Sequence, residues 1–393
     1  MGVKVTLRQG RERPVLNSHP WIFSGAVGRT EPEEPEPGSL CEIYGADGSW
    51  LAAGYINPHS QIICRLVTRL RKESWDKKLL KARLEQAAGL RERICPPDTD
   101  SYRLVNSEGD GLPGIIVDRY GKGFVIQLLT AGAERMREEV TRLLIKRFDP
   151  AFIYENSTSS VRVQEGLSEV RQALHGEPAP RVGIVEYGHR FLVDIYNGQK
   201  TGFYLDQREN RRIAAEWTRP GARALNLFAY TGAFAVYLAR AGAARVISVE
   251  SSEKALDLAR ENLAAAELSE SGYPVLKADA FEYLRKSSDE FDLIVIDPPP
   301  FAKRSIHVKR ASRSYKDINR LGLTRLAPGG VILTFSCSGH VGTHLFRQIV
   351  FSSAVEAGRQ VQVLARLGPG ADHPVSIYHP EGEYLTGLLL YAP

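Results

Sequence analysis

The sequence predicts an α/β protein in which a doubly wound parallel sheet over residues 181–393 follows a small β-barrel (1–72) and a small α+β module (73–180). Three observations carry this. Beyond residue 220, apolar strand-like runs alternate with helical patterns, the signature of a parallel sheet with helices on both faces. Before residue 70, short β-like runs are broken by frequent turns, which suggests a barrel. Between the two lies one long amphipathic helix followed by mixed strands and a second helix.

The barrel strands are expected at 3–7, 40–44, 49–56 and 62–70. The acidic, proline-rich stretch 31–38 reads as a solvated loop, because proline cannot donate to a ladder. Leu79, Leu80, Leu84, Ala87 and Leu90 recur at helical spacing over 75–93, and Cys95-Pro-Pro-Asp98 ends that helix. The central module continues with strands at 102–105, 114–118 and 123–129, a helix at 134–148 and a strand at 152–155. Residues 162–180 are polar and read as a linker. A hairpin is expected around Gly188. Strands then fall at 223–227, 245–250, 275–278, 292–297 and 331–336, with helices at 208–217, 232–241, 253–266, 280–286 and 314–326.

Composition narrows the function classes. Of 393 residues, 51 are basic and 46 acidic; the net charge of +5 permits a polyanionic partner without demonstrating one. The four cysteines, Cys41, Cys64, Cys95 and Cys337, form no CxxC, so neither a zinc site nor a disulfide framework is indicated. No apolar run reaches the ~18 residues of a membrane helix, and the first residues lack a signal-peptide core. A cytoplasmic protein with reduced thiols, no metal and no membrane partner is expected.

The chemistry concentrates at strand ends. In an open α/β sheet, ligands bind beyond the carboxyl ends of the strands. Asn226-Leu-Phe228-Ala-Tyr230-Thr231-Gly232 is a strand, a tight turn and a helix start, and its small residues let a ligand approach the backbone. The next strands end at Glu250, which suits two ribose hydroxyls, and at Asp279, which suits an adenine amino group. Only Gly232 occupies a glycine position of GxGxxG, so a pyrophosphate cradle is disfavoured. An adenosine without pyrophosphate points to S-adenosylmethionine as cofactor. Asp297 ends a fourth strand in Asp297-Pro-Pro-Pro-Phe301, and Cys337 follows a fifth in Ser336-Cys-Ser338. Upstream, the segment 199–211 reads as a lid over the methionine end of the cofactor, although Asp206 also suits a simple helix cap. The basic run Lys303, Arg304, Lys309, Arg310, Arg313 and Lys316 is either a solvated face or a contact for a polyanion. His340, His344, His373 and His379 fit no metal spacing.

Together, Gly198-Gln-Lys-Thr-Gly-Phe-Tyr-Leu-Asp-Gln-Arg208, Asn226–Gly232, Asp297–Phe301, Ser336–Ser338, Asp372-His-Pro374 and Tyr384-Leu385 resemble class I methyltransferases. More narrowly, they resemble the RlmI-type family of 23S ribosomal RNA cytosine-5 methyltransferases, over essentially the whole chain. Leu16-Asn-Ser-His-Pro-Trp21-Ile-Phe23 resembles the start of that family's N-terminal PUA domain. The resemblance implies a seven-stranded Rossmann-like methyltransferase domain, S-adenosylmethionine as methyl donor and 23S ribosomal RNA of the large subunit as substrate. It implies that Asn226, Phe228, Thr231 and Gly232 form the cofactor loop, with Glu250 at the ribose and Asp279 at the adenine. Asp297 is placed at the target base and Cys337 as the nucleophile. Tyr230, Ser251, Ala280 and Asp297 complete the expected cofactor pocket with the lid residues Thr201, Tyr204, Asp206 and Arg208. Phe301, Lys303 and Arg304 are the expected substrate contacts, and a homodimer is a further expectation. The competing activity is methylation of an exocyclic nitrogen of adenine or guanine, for which Cys337 would be incidental.

The carbon chemistry explains why a thiol is wanted. Carbon 5 of cytosine is a weak nucleophile. Addition of a thiolate to carbon 6 makes an enamine and activates carbon 5, and cysteine can later leave. RNA cytosine-5 methyltransferases often carry a second cysteine beside the strand-four acid for the final elimination. Here that position is Pro300, so either water or another base takes the carbon 5 proton, or the target is not carbon 5.

Overall fold

Apolar residues at alternate positions, punctuated by Gly and Pro turns, build the N-terminal sheet. The computed structural model describes residues 2–302 and 304–393. β1 (Val3–Leu7), β2 (Trp21–Phe23), β3 (Val27–Glu31), β4 (Ser39–Tyr44), β5 (Trp50–Ile56) and β6 (Ile62–Thr68) pair in the order β2-β6-β5-β4-β1-β3. Val3, Val5 and Leu7 point to one face with Ile22, Ile43, Ile56 and Cys64 and form the core of this curled sheet. β2 and β3 were not legible: one is three residues long, and the other is too polar to show alternation.

The helix Lys77–Ile94 starts at Asp76, whose carboxylate accepts from the Lys78 and Leu79 amides at 2.9 Å. Its buried stripe, Leu80, Leu84 and Ala87, packs with residues of a second sheet. That sheet contains β7 (Ser101–Asn106), β8 (Ile115–Tyr120), β9 (Gly123–Leu128), β10 (Phe152–Ser157) and β11 (Val170–His175) in the order β11-β10-β9-β8-β7. Residues 162–180 are therefore not a linker. β11 pairs antiparallel with β10, and Arg162 is fully buried, donating to the Leu128 and Ser168 carbonyls and to Glu134. As an edge strand, β11 keeps most of its polar residues in solvent, which hides it from an apolar pattern.

The chain forms two compact units. The first is Met1–Val182 with Ile195–Gly202 and Ala371–Gly382; the second is Gly183–Asp194, Phe203–Gly370 and Glu383–Pro393. The late segment of the first unit is anchored by charge. Arg91, fully buried, forms a bidentate pair with Asp110 at 2.6 and 2.8 Å and also donates to the Asp372 carbonyl, while the Asp372 carboxylate accepts from the Arg103 amide.

The second unit opens with a hairpin, β12 (Val182–Glu186) and β13 (His189–Val193). Its seven-stranded sheet contains β14 (Arg223–Leu227), β15 (Arg245–Glu250), β16 (Val275–Lys277), β17 (Phe291–Ile296), β18 (Leu326–Ser336), β19 (Gln362–Leu367) and β20 (Thr386–Ala392). The order is β16-β15-β14-β17-β18-β20-β19. β14 to β18 pair in parallel, and β20 pairs antiparallel with both neighbours. The order reverses between β14 and β17, which makes their carboxyl ends a topological switch point. Leu293, Ile294, Val295 and Ile296 are almost wholly buried, as expected for a strand covered on both faces.

Two boundaries differ from the sequence expectation by five or more residues. Helix Val308–Thr324 starts six residues before 314, because its first turns are basic and only Ala311 is fully buried there. β18 starts five residues before 331. Its Pro328-Gly-Gly330 reads as a turn, and the pairing with β17 shifts register there. The sequence pattern assigns no element to β19, β20 or helix Thr343–Glu356.

Candidate active site

Asn226, the last residue but one of β14, has a buried side chain whose Nδ2 has no hydrogen-bond partner among the described residues. A buried donor left unmade costs about 1–3 kcal/mol, which is a physical reason to expect a ligand acceptor there. The turn that follows is strained. Phe228 and Tyr230 have φ of 57° and 47°, and Gly232 has φ of 77°. Each non-glycine residue held in the left-handed region costs about 1–3 kcal/mol and persists only where its surroundings hold it. At Gly232 a Cβ would also stand 3.2 Å from the Ala259 Cβ, a tight approach that adds to the preference for glycine there.

Glu250, at the end of β15, supplies part of the restraint. Its Oε2 accepts from the Tyr230 amide at 3.0 Å, and its Oε1 accepts from the Ser251 and Ser252 amides at 2.8 and 2.9 Å. The buried Asn262 donates to the Thr231 carbonyl at 2.9 Å from the other side. Tyr204 packs edge-on against Tyr230, with ring centroids 5.1 Å apart. Burial pushes the Tyr204 phenol well above its ordinary range, and the nearby Asp297, Tyr230, Cys337 and Asp206 push it further. It is therefore a neutral donor at any physiological pH.

Asp206 is not the cap of helix Arg208–Glu216; Gln207 stands at that position and makes no side-chain cap bond. Asp206 is instead buried within a 3-10 turn and accepts from the Tyr384 hydroxyl at 2.6 Å. Arg208 is buried, with Nε 3.3 Å from Glu209. Asp279 accepts from the Glu282 amide at 2.9 Å and so caps helix Ala280–Lys286, whose first residue Ala280 is buried; Ser251 is exposed. Thr201 belongs to the first unit, where its hydroxyl donates to Asp118 at 2.6 Å and shares a hydrogen bond with Tyr120.

These residues fit S-adenosylmethionine. The orphaned Asn226 amide, the constrained turn, Glu250 at the end of β15 and Asp279 just after β16 offer polar groups of the right type for an amino acid, a ribose and an adenine.

On the other side of the switch point, β17 and β18 run in parallel register, Ile296 beside Thr334, so Asp297 and Cys337 leave the sheet at neighbouring strand ends. The Cys337 thiol turns toward the β17 side and donates to the Pro298 carbonyl at 3.3 Å. Both Asp297 and Cys337 are half-buried, which keeps them accessible. A clamp joins the two loops. The buried Ser338 hydroxyl accepts from the Ala302 amide at 3.2 Å and shares a hydrogen bond with Tyr315 at 3.0 Å. Neither partner was legible beforehand, since the contact depends on tertiary approach. Ser338→Ala should release the thiol-bearing turn and lower kcat about ten- to a hundredfold with S-adenosylmethionine affinity unchanged. Steady-state kinetics paired with calorimetry check this; an unchanged kcat would remove the clamp from the account.

Phe301 is half-buried, 4.7 Å from Tyr315 and 6.4 Å from Phe228 by ring centroids. Arg304 is exposed. Lys303 lies outside the described residues. Lys316 pairs with Glu356 at 2.6 Å, so that member of the basic run is committed locally. His340 and His344 are exposed, while His373 and His379 fall in the first unit. Among the described residues, no cluster of three or more metal-ligating side chains occurs and no helix is long and apolar enough to cross a membrane.

Comparison with known proteins agrees with this geometry. Residues 162–370 match the model of the S-adenosylmethionine-dependent methyltransferase family, and residues 5–69 match a PUA-like domain. The protein named ribosomal RNA large subunit methyltransferase I from Shewanella denitrificans is 42% identical over 99% of both chains. The protein of that name from Aeromonas hydrophila is 43% identical over 100% of both. Among solved structures, a chain from Streptococcus mutans assigned as a SAM-dependent methyltransferase superposes with a TM-score of 0.84 at 22% identity, covering 99% of both chains. Another, likewise assigned as a methyltransferase and solved with SAH, gives 0.85 at 22% identity over the same coverage. At that identity the structural likeness speaks for the fold alone. The full-length sequence matches and the family model together show that the chain belongs to the S-adenosylmethionine-dependent methyltransferases, in the ribosomal RNA large subunit methyltransferase I family.

Proposed function

We propose that this methyltransferase makes 5-methylcytosine in 23S ribosomal RNA, the RNA of the large subunit, through a covalent bond between Cys337 and carbon 6 of the target base. The observation that carries the proposal is the Cys337 sulfur turned onto the Asp297-Pro298 strand end, 3.3 Å from the Pro298 carbonyl.

In this reading the site acts in four steps. Asp297 holds the flipped cytosine at N3 or its exocyclic amine, favouring a protonated N3 that makes carbon 6 electrophilic. The Cys337 thiolate adds to carbon 6, and the ring electrons move to carbon 5. Bound S-adenosylmethionine supplies an electrophilic methyl group, which carbon 5 takes. A base then removes the carbon 5 proton, the double bond re-forms, and the thiolate leaves. Tyr204 is a donor rather than that base, because its phenol is pushed up. With Pro300 in the loop, water is the simplest acceptor. Asn226, Phe228, Tyr230, Thr231, Gly232, Glu250, Ser251, Asp279 and Ala280 are proposed to hold the cofactor, with Tyr204, Asp206 and Arg208 closing over it. Phe301, Arg304 and Lys303 are the proposed substrate contacts. A homodimer belongs to the same proposal, supported by exposed Phe351 and Val355 on helix Thr343–Glu356 and Val363 on edge strand β19.

The test is mass-spectrometric mapping of methylated nucleotides in ribosomal RNA from cells with and without the protein. A 5-methylcytosine in the large-subunit RNA that disappears with the protein is the expected result. Loss of a nitrogen-methylated purine instead would contradict it.

A further inference from the structure

Past the reaction centre, the loop after Asp297 and the start of helix Val308–Thr324 enclose an open groove of about 520 Å³. Pro300, Phe301, Arg304, His307, Arg310 and Ser314 line it. Its charge is one-sided. From residue 303 to residue 316 the sequence contains six Lys or Arg and no Asp or Glu. Among the described residues, no carboxylate pairs with Arg304 or Arg310, both of which are exposed. Farther along, the charges of the same helix are neutralised locally. Lys316 pairs with Glu356, and Asp317 pairs with Arg320 and Arg285, at 2.6 to 2.7 Å. The uncompensated cations are therefore confined to the groove end.

The groove also has an aromatic wall. Phe301 is only half-buried, and its ring is backed by Tyr315 at 4.7 Å, so its orientation is held by the core. An aromatic face beside guanidinium groups is the pairing that takes single-stranded nucleic acid, with the base on the ring and the phosphates on the cations. Phe301 is four positions beyond Asp297, a chain span of at most about 14 Å. The groove thus begins within a few nucleotides of the reacting base.

We infer that this groove is the subsite for the unpaired nucleotide flanking the target in the RNA strand, with its base against Phe301 and its phosphates on Arg304 and Arg310. The inference rests on the RNA reading above and deepens it. It assigns to Arg310 and the groove a role in strand register that neither Asp297 nor Cys337 can fill.

Arg310→Glu tests it, with Arg219→Glu as a matched charge reversal. Arg219 is exposed just before β14, at the opposite end of that strand from the site. The assays are methylation of a cytosine-containing single-stranded RNA and equilibrium RNA binding over a salt series. For Arg310→Glu, KM for RNA should rise about tenfold with kcat changed less than about twofold. The slope of log K against log salt should lose about 0.7 per phosphate contact removed. S-adenosylmethionine binding should match wild type, and Arg310→Lys should restore most of the affinity. If Arg310→Glu and Arg219→Glu weaken RNA binding equally, or neither does, the subsite is wrong while the RNA reading stands. If wild-type protein neither binds nor methylates RNA, the RNA reading falls and takes the subsite with it.

Discussion

Replacing Cys337 by alanine should abolish methyl transfer while leaving S-adenosylmethionine binding intact. The sulfur lies beside the Pro298 carbonyl, at the mouth of the switch point. Its loss removes no side chain from the proposed cofactor pocket. Without a nucleophile at carbon 6, carbon 5 of cytosine is not activated, and no other residue in this site can substitute. A fall in kcat of about a thousandfold or more is expected, since removing a covalent nucleophile disables the whole pathway. Calorimetry should give the wild-type affinity for the cofactor, and the melting temperature should stay near wild type because the thiol is only half-buried. Retained methylation would assign Cys337 to packing, the usual state of a free cysteine.

Asp297→Asn should produce the second-largest loss. The substitution keeps the shape of the strand end but removes a negative charge from the site proposed to hold the cytosine ring. An amide can still donate to or accept from the base, yet it cannot favour a protonated N3. Rate losses of about 10²–10⁴-fold are typical when a positioned acid or base is neutralised. The covalent step should slow in the same proportion, measured as the rate of adduct formation under single-turnover conditions. A normal adduct rate with slow release would move Asp297 from activation to the later elimination.

Much of this site was legible because strand ends announce themselves. Leu-Ile-Val-Ile before Asp297 and Val-Ile-Ser-Val before Glu250 are buried strands that run into an acid, and the structure puts both acids at the carboxyl edge of one sheet. The turn at Asn226–Gly232 was readable from its small residues. Its strain was not, because the left-handed Phe228 and Tyr230 carry no glycine to mark them. Asp206 shows the converse: its position before a helix fits a cap, yet its partner is Tyr384, far along the chain. Polar edge strand β11 and the basic first turns of helix Val308–Thr324 were misread for a common reason, since solvent-facing residues dilute the apolar period on which such readings depend.

The measurement that bears most directly on the account uses RNA containing 5-fluorocytidine. Fluorine at carbon 5 leaves no proton to remove, so the enzyme should remain bonded to the base after methyl transfer. Incubation with S-adenosylmethionine, digestion and mass spectrometry should find the nucleotide attached to the peptide that contains Cys337. A normal yield of methylated product with no adduct, or an adduct on Cys41, Cys64 or Cys95, would contradict it.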